Sequence, residues 1–402
     1  MREIQYSERF YDYNNETMAI ITEIEDLRQQ AKRRVAKAIF GYVDSGSYTQ
    51  GTMRANKGDL DAIHLRQRVA VNVDQRNTAT TLIGQDAAIP LALAPVGLTG
   101  LNYGDGEILA AQAAEEFGVP FTLTTMSICS IEDVAAATKK PFWFQLYVMR
   151  DRAFAADLIA RAKAAKCSAL VLTLDLQILG QRHADLRNGL TVPPRPTLSN
   201  IVDMLSKPAW CASVLMGKRK TFGNLDGHVK GAEGLSTLMA WVGQQFDPTL
   251  DWDDVEWIRK QWDGKLILKG ILDPEDARMA ARTGADAIVV SNHGGRQLDG
   301  AISSIRALPE VINALQADGS KIEVWMDGGI RSGQDILKAC AMGARGVMAG
   351  RSYVYGLGAM GKPGVSKALE IMRKELDVSM ALSGIRDIRE ANRSHIVLPK
   401  SW

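Results

Sequence analysis

Short apolar runs alternate with longer stretches of mixed character along most of the chain. The runs fall at residues 91–94, 121–124, 142–147 and 169–173, and then, after a long interruption, at 266–269, 287–290, 322–326 and 346–349. Each is nearly continuous in Val, Ile, Leu, Ala, Phe and Trp, as expected of strands buried on both faces. Between them, residues 107–117, 153–165, 274–283 and 334–342 carry Ala- and Leu-rich patterns at helical spacing. Eight strand–helix repeats predict an α/β fold, a closed (β/α)8 TIM barrel rather than an open sheet, over about residues 89–375. Upstream, Ile20, Ile21, Ile24, Leu27, Ala31 and Val35 recur at helical spacing. They predict an N-terminal helical extension over residues 18–40 that ends near Gly41 to Gly46 and leaves Tyr42 at its exit. The fourth and fifth runs are separated by residues 176–264, too far for an ordinary connection, so about 183–250 reads as a long insertion after strand 4. Residues 1–402 are read together as one domain.

The insertion has its own pattern. Leu198, Ile201, Val202 and Leu205 fall on one helical face, followed by Lys207-Pro208-Ala209-Trp210, by Val214-Leu215-Met216, and by Lys218-Arg219-Lys220. Arg195, Lys207, Lys218, Arg219 and Lys220 stand against a single acid, Asp203. An apolar face with Trp beside lysines suits an anionic membrane surface. The competing expectation is a helix packed over the barrel or at a subunit interface. Composition narrows the rest. Hydrophobic residues at 46% and charged residues at 23% are globular values, and a net charge of +2 argues against a nucleic-acid partner. Cys129, Cys167, Cys211 and Cys340 lie far apart without a CxxC pair, which predicts reduced thiols, no metal site and a cytoplasmic setting. The first residues lack an apolar signal core, and no run is long enough to span a bilayer.

In a barrel of this kind the chemistry collects where strands end. Those ends read Ala94-Pro95-Val96-Gly97, Thr124-Thr125-Met126, Gln145-Leu146-Tyr147, Thr173-Leu174-Asp175, Lys269-Gly270, Ser291-Asn292-His293, Asp327-Gly328-Gly329 and Gly350-Arg351. Core packing alone does not require so many polar groups there. The sixth end is the richest: Ser291-Asn292-His293-Gly294-Gly295-Arg296-Gln297-Leu298-Asp299-Gly300. A titratable His and a permanent cation, separated by two glycines, suit proton or hydride removal beside a carboxylate. The last two ends, Asp327-Gly328-Gly329-Ile330-Arg331-Ser332-Gly333 and Gly350-Arg351-Ser352, set glycine beside arginine. Open backbone amides plus guanidinium groups make a phosphate site, and a phosphate handle near a redox-type centre points to a phosphorylated cofactor.

Together these residues resemble the FMN-dependent α-hydroxy acid dehydrogenase and oxidase family, from about Tyr6 to Val397. The stretch from Ser291 to Gly300 carries most of the likeness, supported by Leu93-Ala94-Pro95, Phe144-Gln145-Leu146-Tyr147, Leu172-Thr173-Leu174-Asp175, Leu268-Lys269-Gly270 and Asp327-Gly328-Gly329. The resemblance implies oxidation of an (S)-2-hydroxy acid, lactate- or mandelate-like, to the 2-oxo acid, with two electrons passing to FMN. His293 would be the active-site base, Asp175 would stabilise its protonated form, Arg296 and Tyr42 would bind the substrate carboxylate, and Tyr147 and Arg182 would face the reacting oxygen. Lys269 would sit near the flavin N1 and O2. Gln145, Thr173, Thr124, Ser291 and the segment Ala94, Pro95 and Val96 would contact the ring and ribityl chain. Asp327 would also contact the ribityl chain, and Gly329, Arg331, Gly350 and Arg351 would hold the phosphate. Whether the Cα hydrogen leaves as hydride or as a proton is open at this level.

The family's membrane dehydrogenases use the insertion to reach the membrane and pass electrons to quinone. The resemblance therefore implies peripheral association with the inner face of the cell membrane and a quinone or other non-oxygen acceptor. The alternative is an oxidase that uses O2 and releases hydrogen peroxide. Gly97 stands where several oxidases have alanine, which favours the dehydrogenase. Met126 stands where glycolate oxidase has an aromatic residue in the substrate pocket, and Gln181 where some relatives have a second basic residue. With Ile178 and Leu179, Met126 implies an apolar, adaptable pocket. Two further rivals are a flavin-dependent isomerase and a non-catalytic flavin binder; neither accounts for Tyr42, Tyr147, His293 and Arg296 occurring together. A homo-oligomer, of the tetrameric kind common in the family, is the expected assembly.

Overall fold

A computed structural model describes residues 20–190, 197–228, 234–400 and 402. The eight apolar runs form β1 (Leu91–Leu93), β2 (Thr122–Thr124), β3 (Trp143–Tyr147), β4 (Ala169–Thr173), β5 (Lys265–Ile271), β6 (Ala287–Val290), β7 (Glu323–Met326) and β8 (Gly346–Ala349). They pair in parallel in the order β1-β8-β7-β6-β5-β4-β3-β2, and a parallel bridge between Leu93 and Phe121 brings the two ends of the sheet together. The result is a (β/α)8 barrel, ringed by helices such as Gly106–Phe117, Arg152–Ala164 and Pro274–Arg282.

Strand alternation sorts the interior into layers. Ala92, Trp143, Val171, Ile267, Val289 and Trp325 point inward and are fully buried, with Trp143 and Trp325 stacked at a centroid separation of 5.3 Å. A hairpin of Thr80–Leu82 and Gln85–Ala87 plugs the bottom; Leu82 and Ile83 join the inner cluster and Gln85 Oε1 accepts from Trp143 Nε1 at 3.0 Å. The hydrophobic pattern gave no warning of this hairpin. Its turn is Ile83-Gly84, with φ of 47° and 84°. Because the strand repeat is two residues, the same inward face higher up carries Gln145, Thr173, Lys269, Ser291 and Asp327. Apolar packing below thus fixes a polar layer above.

The extension departs from the single helix predicted over residues 18–40. It forms α1 (Ile24–Arg34) and α2 (Lys37–Asp44), followed by α3 (Gly51–Ala62). Val35 and Ala36 between the first two are extended and buried, and Ile20 is exposed rather than part of the stripe. Residues 18 and 19 lie outside the described residues. The break lets α1 lie against the barrel helix Arg351–Met360, where Gly358 leaves room for Ala31 and Val35, while α2 turns toward the barrel mouth. Arg28 donates to both carboxylate oxygens of Asp44, at 2.6 and 2.8 Å, and fixes the angle between α1 and α2. Neither glycine nor proline marks the break, so spacing alone missed it.

The insertion contributes α4 (Leu198–Leu205), α5 (Pro208–Met216) and α6 (Leu235–Gln245). The apolar face of α4 is exposed, with Leu198 at 83% and Leu205 at 75%, and Leu215 and Met216 extend it on α5. Two expectations about this arm need correction. Trp210 does not join the exposed face: it is buried, and its indole N–H donates to the Leu101 carbonyl at 2.8 Å. The basic cluster is engaged locally rather than free. Lys218 and Arg219 pair with Asp133, Lys220 donates to the Gly217 carbonyl, and Lys207 donates to the Arg33 carbonyl at 2.6 Å. Arg195 lies outside the described residues. Close backbone approach seats α5, since a Cβ on Gly104 would stand 2.0 Å from the Ser213 oxygen. The second part of the insertion covers the barrel mouth instead, with Met239, Val242 and Phe246 over the cavity described next. Among the described residues, no helix is long and apolar enough to cross a membrane.

Candidate active site

The cavity at the C-terminal ends of the strands encloses about 1290 Å³ of unfilled space, its open mouth included. His293 enters it from the loop after β6. Its backbone is left-handed, with φ of 58°, and Gly294 and Gly295 continue that turn at 64° and 74°. Such a conformation is costly for a residue with a Cβ and marks a place where the surroundings dictate the backbone. Both glycines are required. A Cβ on Gly295 would stand 2.5 Å from Met53 N, and one on Gly294 would stand 2.9 Å from an Arg351 guanidinium nitrogen.

His293 Nδ1 lies 2.9 Å from Asp175 Oδ1. A carboxylate only accepts, so Nδ1 carries the hydrogen and Nε2 is left as the free position. Burial works to raise the Asp175 pKa, but the imidazole and then the Lys269 ammonium outweigh it and hold the carboxyl below its ordinary value. Asp175 fits because Gly270 forms a bulge in β5, with φ of 103°; a Cβ there would sit 2.7 Å from the Asp175 side chain. Gln297 Nε2 donates to the Asp175 carbonyl at 2.7 Å and secures the backbone.

Four groups, Tyr42, Tyr147, Arg182 and Arg296, line the cavity with His293. Arg296 and Arg182 flank the Tyr42 ring, with their guanidinium carbons 4.8 and 5.3 Å from its centroid. Arg296 is anchored by Tyr42 O at 2.6 Å and Ser45 O at 3.0 Å, and Arg182 by Asp185 at 2.7 Å. Burial and then Arg182 push the Arg296 pKa down. For Arg182 burial is outweighed by Tyr42 and Asp185, and its pKa is raised. Two cations with one carboxylate between them leave net positive charge in a partly desolvated space, which favours an anion. Tyr147 completes this side; burial first, then Tyr42 and Asp175, raise its pKa, so it stands as a neutral hydroxyl. Met126, Leu176, Leu179 and Phe222 supply apolar wall, and Phe246 meets the Tyr147 ring edge-on at 6.1 Å.

The opposite side is built from β5, β7 and β8. Lys269 Nζ contacts Asp327 Oδ2 at 2.9 Å and donates to Ser291 Oγ at 2.9 Å. Burial works against the lysine's charge, but Asp327 and Asp175 prevail and raise its pKa. Asp327 Oδ1 is buried with no partner, an acceptor set for a ligand hydroxyl. Gly329, Gly350, Arg331 and Arg351 line the same end beside the N-terminus of the helix Arg351–Met360, with Ala94, Pro95 and Val96 across from them. Arg351 is unusual. Its guanidinium donates to Val43 O, Gly294 O and Ser45 O at 2.8, 2.9 and 2.8 Å. Burial lowers its pKa to about 9; Tyr355 opposes this, while nearby Arg296 and Arg331 add to it. A crowd of cations at a helix N-terminus is a place for a dianion.

Five of the expected site residues do not reach the cavity wall. Thr124, Gln145 and Thr173 are fully buried in a chain beside Lys269, where Thr124 Oγ1 donates to Gln145 Oε1 at 2.5 Å and Gln145 Nε2 donates to Thr173 Oγ1 at 3.0 Å. Asp175 and Ser291 bond His293 and Lys269, respectively, from outside the lining. Sequence reasoning missed the wall from the second half of the insertion, Met239, Val242 and Phe246, because nothing local shows which face of α6 turns inward. It also passed over Asn56 and Asn292, although Asn292 lies inside the most distinctive stretch.

Residues 31–398 match the model of a family described as FMN-dependent dehydrogenase. An L-lactate dehydrogenase of Caulobacter sp. (strain K31) is 47% identical over 376 residues, covering 93% of this chain and 98% of its own. An L-lactate dehydrogenase of Acinetobacter baylyi (strain ATCC 33305 / BD413 / ADP1) is 44% identical over 379 residues, 94% of this chain and 98% of that protein. Among solved structures, the monotopic membrane protein (S)-mandelate dehydrogenase superposes with a TM-score of 0.89 at 31% identity, covering 95% of this chain and all of its own. A mandelate oxidase superposes at 0.77 with 35% identity, over 94% and 98% of the two chains.

Proposed function

The chain belongs to the FMN-dependent dehydrogenase family, and from that premise we propose that it oxidises a small (S)-2-hydroxy acid of the L-lactate class, with His293 as the base and a quinone as the electron acceptor. It is an oxidoreductase acting on a small hydroxy acid, with FMN as cofactor. One arrangement carries the reading: a His293 fixed by Asp175 through Nδ1, with Nε2 free, shares its cavity with the positive pair Arg296 and Arg182. The relatives named L-lactate dehydrogenase are much closer in sequence than the mandelate enzyme, 47% against 31%, which supports the lactate class.

The residues present fit FMN. Arg331, Arg351 and the amides around Gly329 and Gly350 suit its phosphate, the unpartnered Asp327 Oδ1 suits a ribityl hydroxyl, and the Lys269 cation suits the edge of the ring that gains negative charge on reduction. When bound, FMN takes up the two electrons that leave the hydroxy acid. The protein's part is positional and electrostatic. Arg296 and Tyr42 would hold the carboxylate and so orient the substrate within the cavity that His293 enters. His293 takes one proton: that of the hydroxyl if the Cα hydrogen leaves with its electron pair, that of Cα if it leaves without. Either way the imidazolium forms against Asp175, which is already charged. Arg182 and Tyr147 stabilise negative charge growing on the substrate oxygen.

The exposed face of α4 and the end of α5 suit contact with the membrane, which would bring the enzyme to a lipid-soluble acceptor. The test is anaerobic bleaching of the purified yellow holoenzyme by L-lactate, glycolate, (S)-mandelate and a longer aliphatic hydroxy acid, followed by reoxidation with a quinone analogue or with O2. Bleaching by L-lactate and rapid quinone turnover are expected. Bleaching by none of the four would overturn the activity, and fast peroxide release without quinone reduction would make the enzyme an oxidase.

A further inference from the structure

The strained turn at His293 is held from outside the barrel. Asn56, on α3 of the N-terminal extension, exchanges two hydrogen bonds with Asn292: Asn56 Nδ2 donates to Asn292 Oδ1 at 2.8 Å, and Asn292 Nδ2 donates to Asn56 Oδ1 at 2.8 Å. Each oxygen also takes a backbone donor, Asn292 Oδ1 from Gly295 N at 3.0 Å and Asn56 Oδ1 from Ser304 N at 3.1 Å. The second Asn292 hydrogen goes to Ile302 O at 3.0 Å. Both side chains are buried, at 2% and 5% exposure. The amides are thereby fixed in orientation, because flipping either one would face donor to donor and acceptor to acceptor.

Two consequences meet at Asn56. Gly295 N donates to both the backbone carbonyl and Oδ1 of Asn292, each at 3.0 Å, in a short turn around His293, so the Asn292 amide helps hold the imidazole over Asp175. On its other side, Asn56 packs on the loop after β7. A Cβ on Gly328 would stand 3.0 Å from Asn56 Nδ2, and one on Gly329 would stand 2.4 Å from Asn56 O. We propose that Asn56 is a positioning residue for hydroxy-acid oxidation: its amide pair with Asn292 sets where His293 stands, and its contact with Gly328 and Gly329 ties that setting to the loop carrying Asp327. Arg296 and Arg182 have separate anchors on Tyr42, Ser45 and Asp185, so substrate capture does not depend on this pair. The inference rests on His293 being the base.

The experiment measures flavin reduction by stopped flow on FMN-loaded Asn56→Ala, Asn292→Ala, the double variant and Asn56→Asp, with the hydroxy acid that bleaches the parent. For Asn56→Ala we expect the limiting rate to fall about 100-fold, the cost of a small misplacement of a reacting group, with little change in the apparent substrate Kd. The double variant should be no slower than the slower single one, because both remove the same coupling. Asn56→Asp is nearly isosteric and carries the test if the alanine variant loses FMN. Its carboxylate cannot donate to Asn292 Oδ1, but its neutral acid can. Its rate should therefore recover as pH falls through a carboxyl pKa raised by burial, an ionisation absent from the parent. A parent-like rate in Asn56→Ala, single effects that multiply in the double, or a parent-like pH profile in Asn56→Asp would each overturn the proposal. His293→Ala serves as the control: if it still bleaches rapidly, the base assignment fails instead.

Discussion

The polar layer at the strand ends and the α4–α5 arm break the usual rule of protein surfaces in opposite directions. Lys269 and Asp327 are charged and buried, whereas Leu198 and Leu205 are apolar and exposed. In the first region most departures are compensated inside the molecule, Lys269 by Asp327, His293 by Asp175 and Arg182 by Asp185, and the surplus charge of Arg296 and Arg351 faces the cavity. In the second no described residue covers Leu198 or Leu205, and close seating through Gly104 and Ser213 keeps the apolar face where it is. A compensated departure is built to handle a small polar molecule; an uncompensated one needs something outside the chain to cover it. None of the exposed α4 residues lines the cavity, so the two regions can be perturbed separately.

The largest expected effect breaks the first region alone. His293→Ala should slow flavin reduction by about a thousandfold or more while FMN stays bound, since no other histidine among the described residues lines the cavity; absorbance during anaerobic mixing checks both. Arg296→Leu is next. It should raise the substrate Kd by about a hundredfold through loss of a partly desolvated charge partner, read from the same traces as a function of hydroxy-acid concentration. Leu198→Ser with Leu205→Ser addresses the second region. Partition onto anionic vesicles should drop by about tenfold or more, as burial of two leucines implies, with anaerobic bleaching unchanged. A loss of bleaching would show that the regions are coupled. Gly97→Ala should give the smallest change, a few-fold rise in substrate Kd, because its Cβ would stand 3.2 Å from the Tyr42 hydroxyl and shift it by only a few tenths of an ångström.

The barrel was legible because its strands are buried on both faces, and a continuous apolar run needs no partner to be recognised. The residues at the strand ends were legible for a related reason: once a run is placed, alternation assigns Lys269, Ser291 and Asp327 to one inward face. What stayed hidden depends on contacts between distant segments. The break at Val35 and Ala36 follows from docking against Gly358, more than three hundred residues away. Trp210 reads as part of an amphipathic stripe until Leu101 offers it a carbonyl. Lys218 and Arg219 read as a free basic patch until Asp133, an acid from another helix, is folded beneath them. Asn56 has no local signature at all; its significance lies wholly in its partner at position 292.

Ser47, near the end of α2, accepts no role in the chemistry, yet its backbone N–H and hydroxyl bind the carbonyls of Gly295 and Gln297, 248 and 250 residues further along. Asp299 likewise caps α3 through Thr49 and Thr52. The consequence is one of timing. The segment synthesised early has no docking place until the loop after β6 exists, and β1 cannot pair with β8 until the last strand has emerged. Contacts that distant close late and slowly during folding. The substrate-side wall from Tyr42 is therefore installed only once the loop after β6 is in place, and a chain stalled before residue 293 lacks both the base and the carbonyls that dock the end of its N-terminal extension.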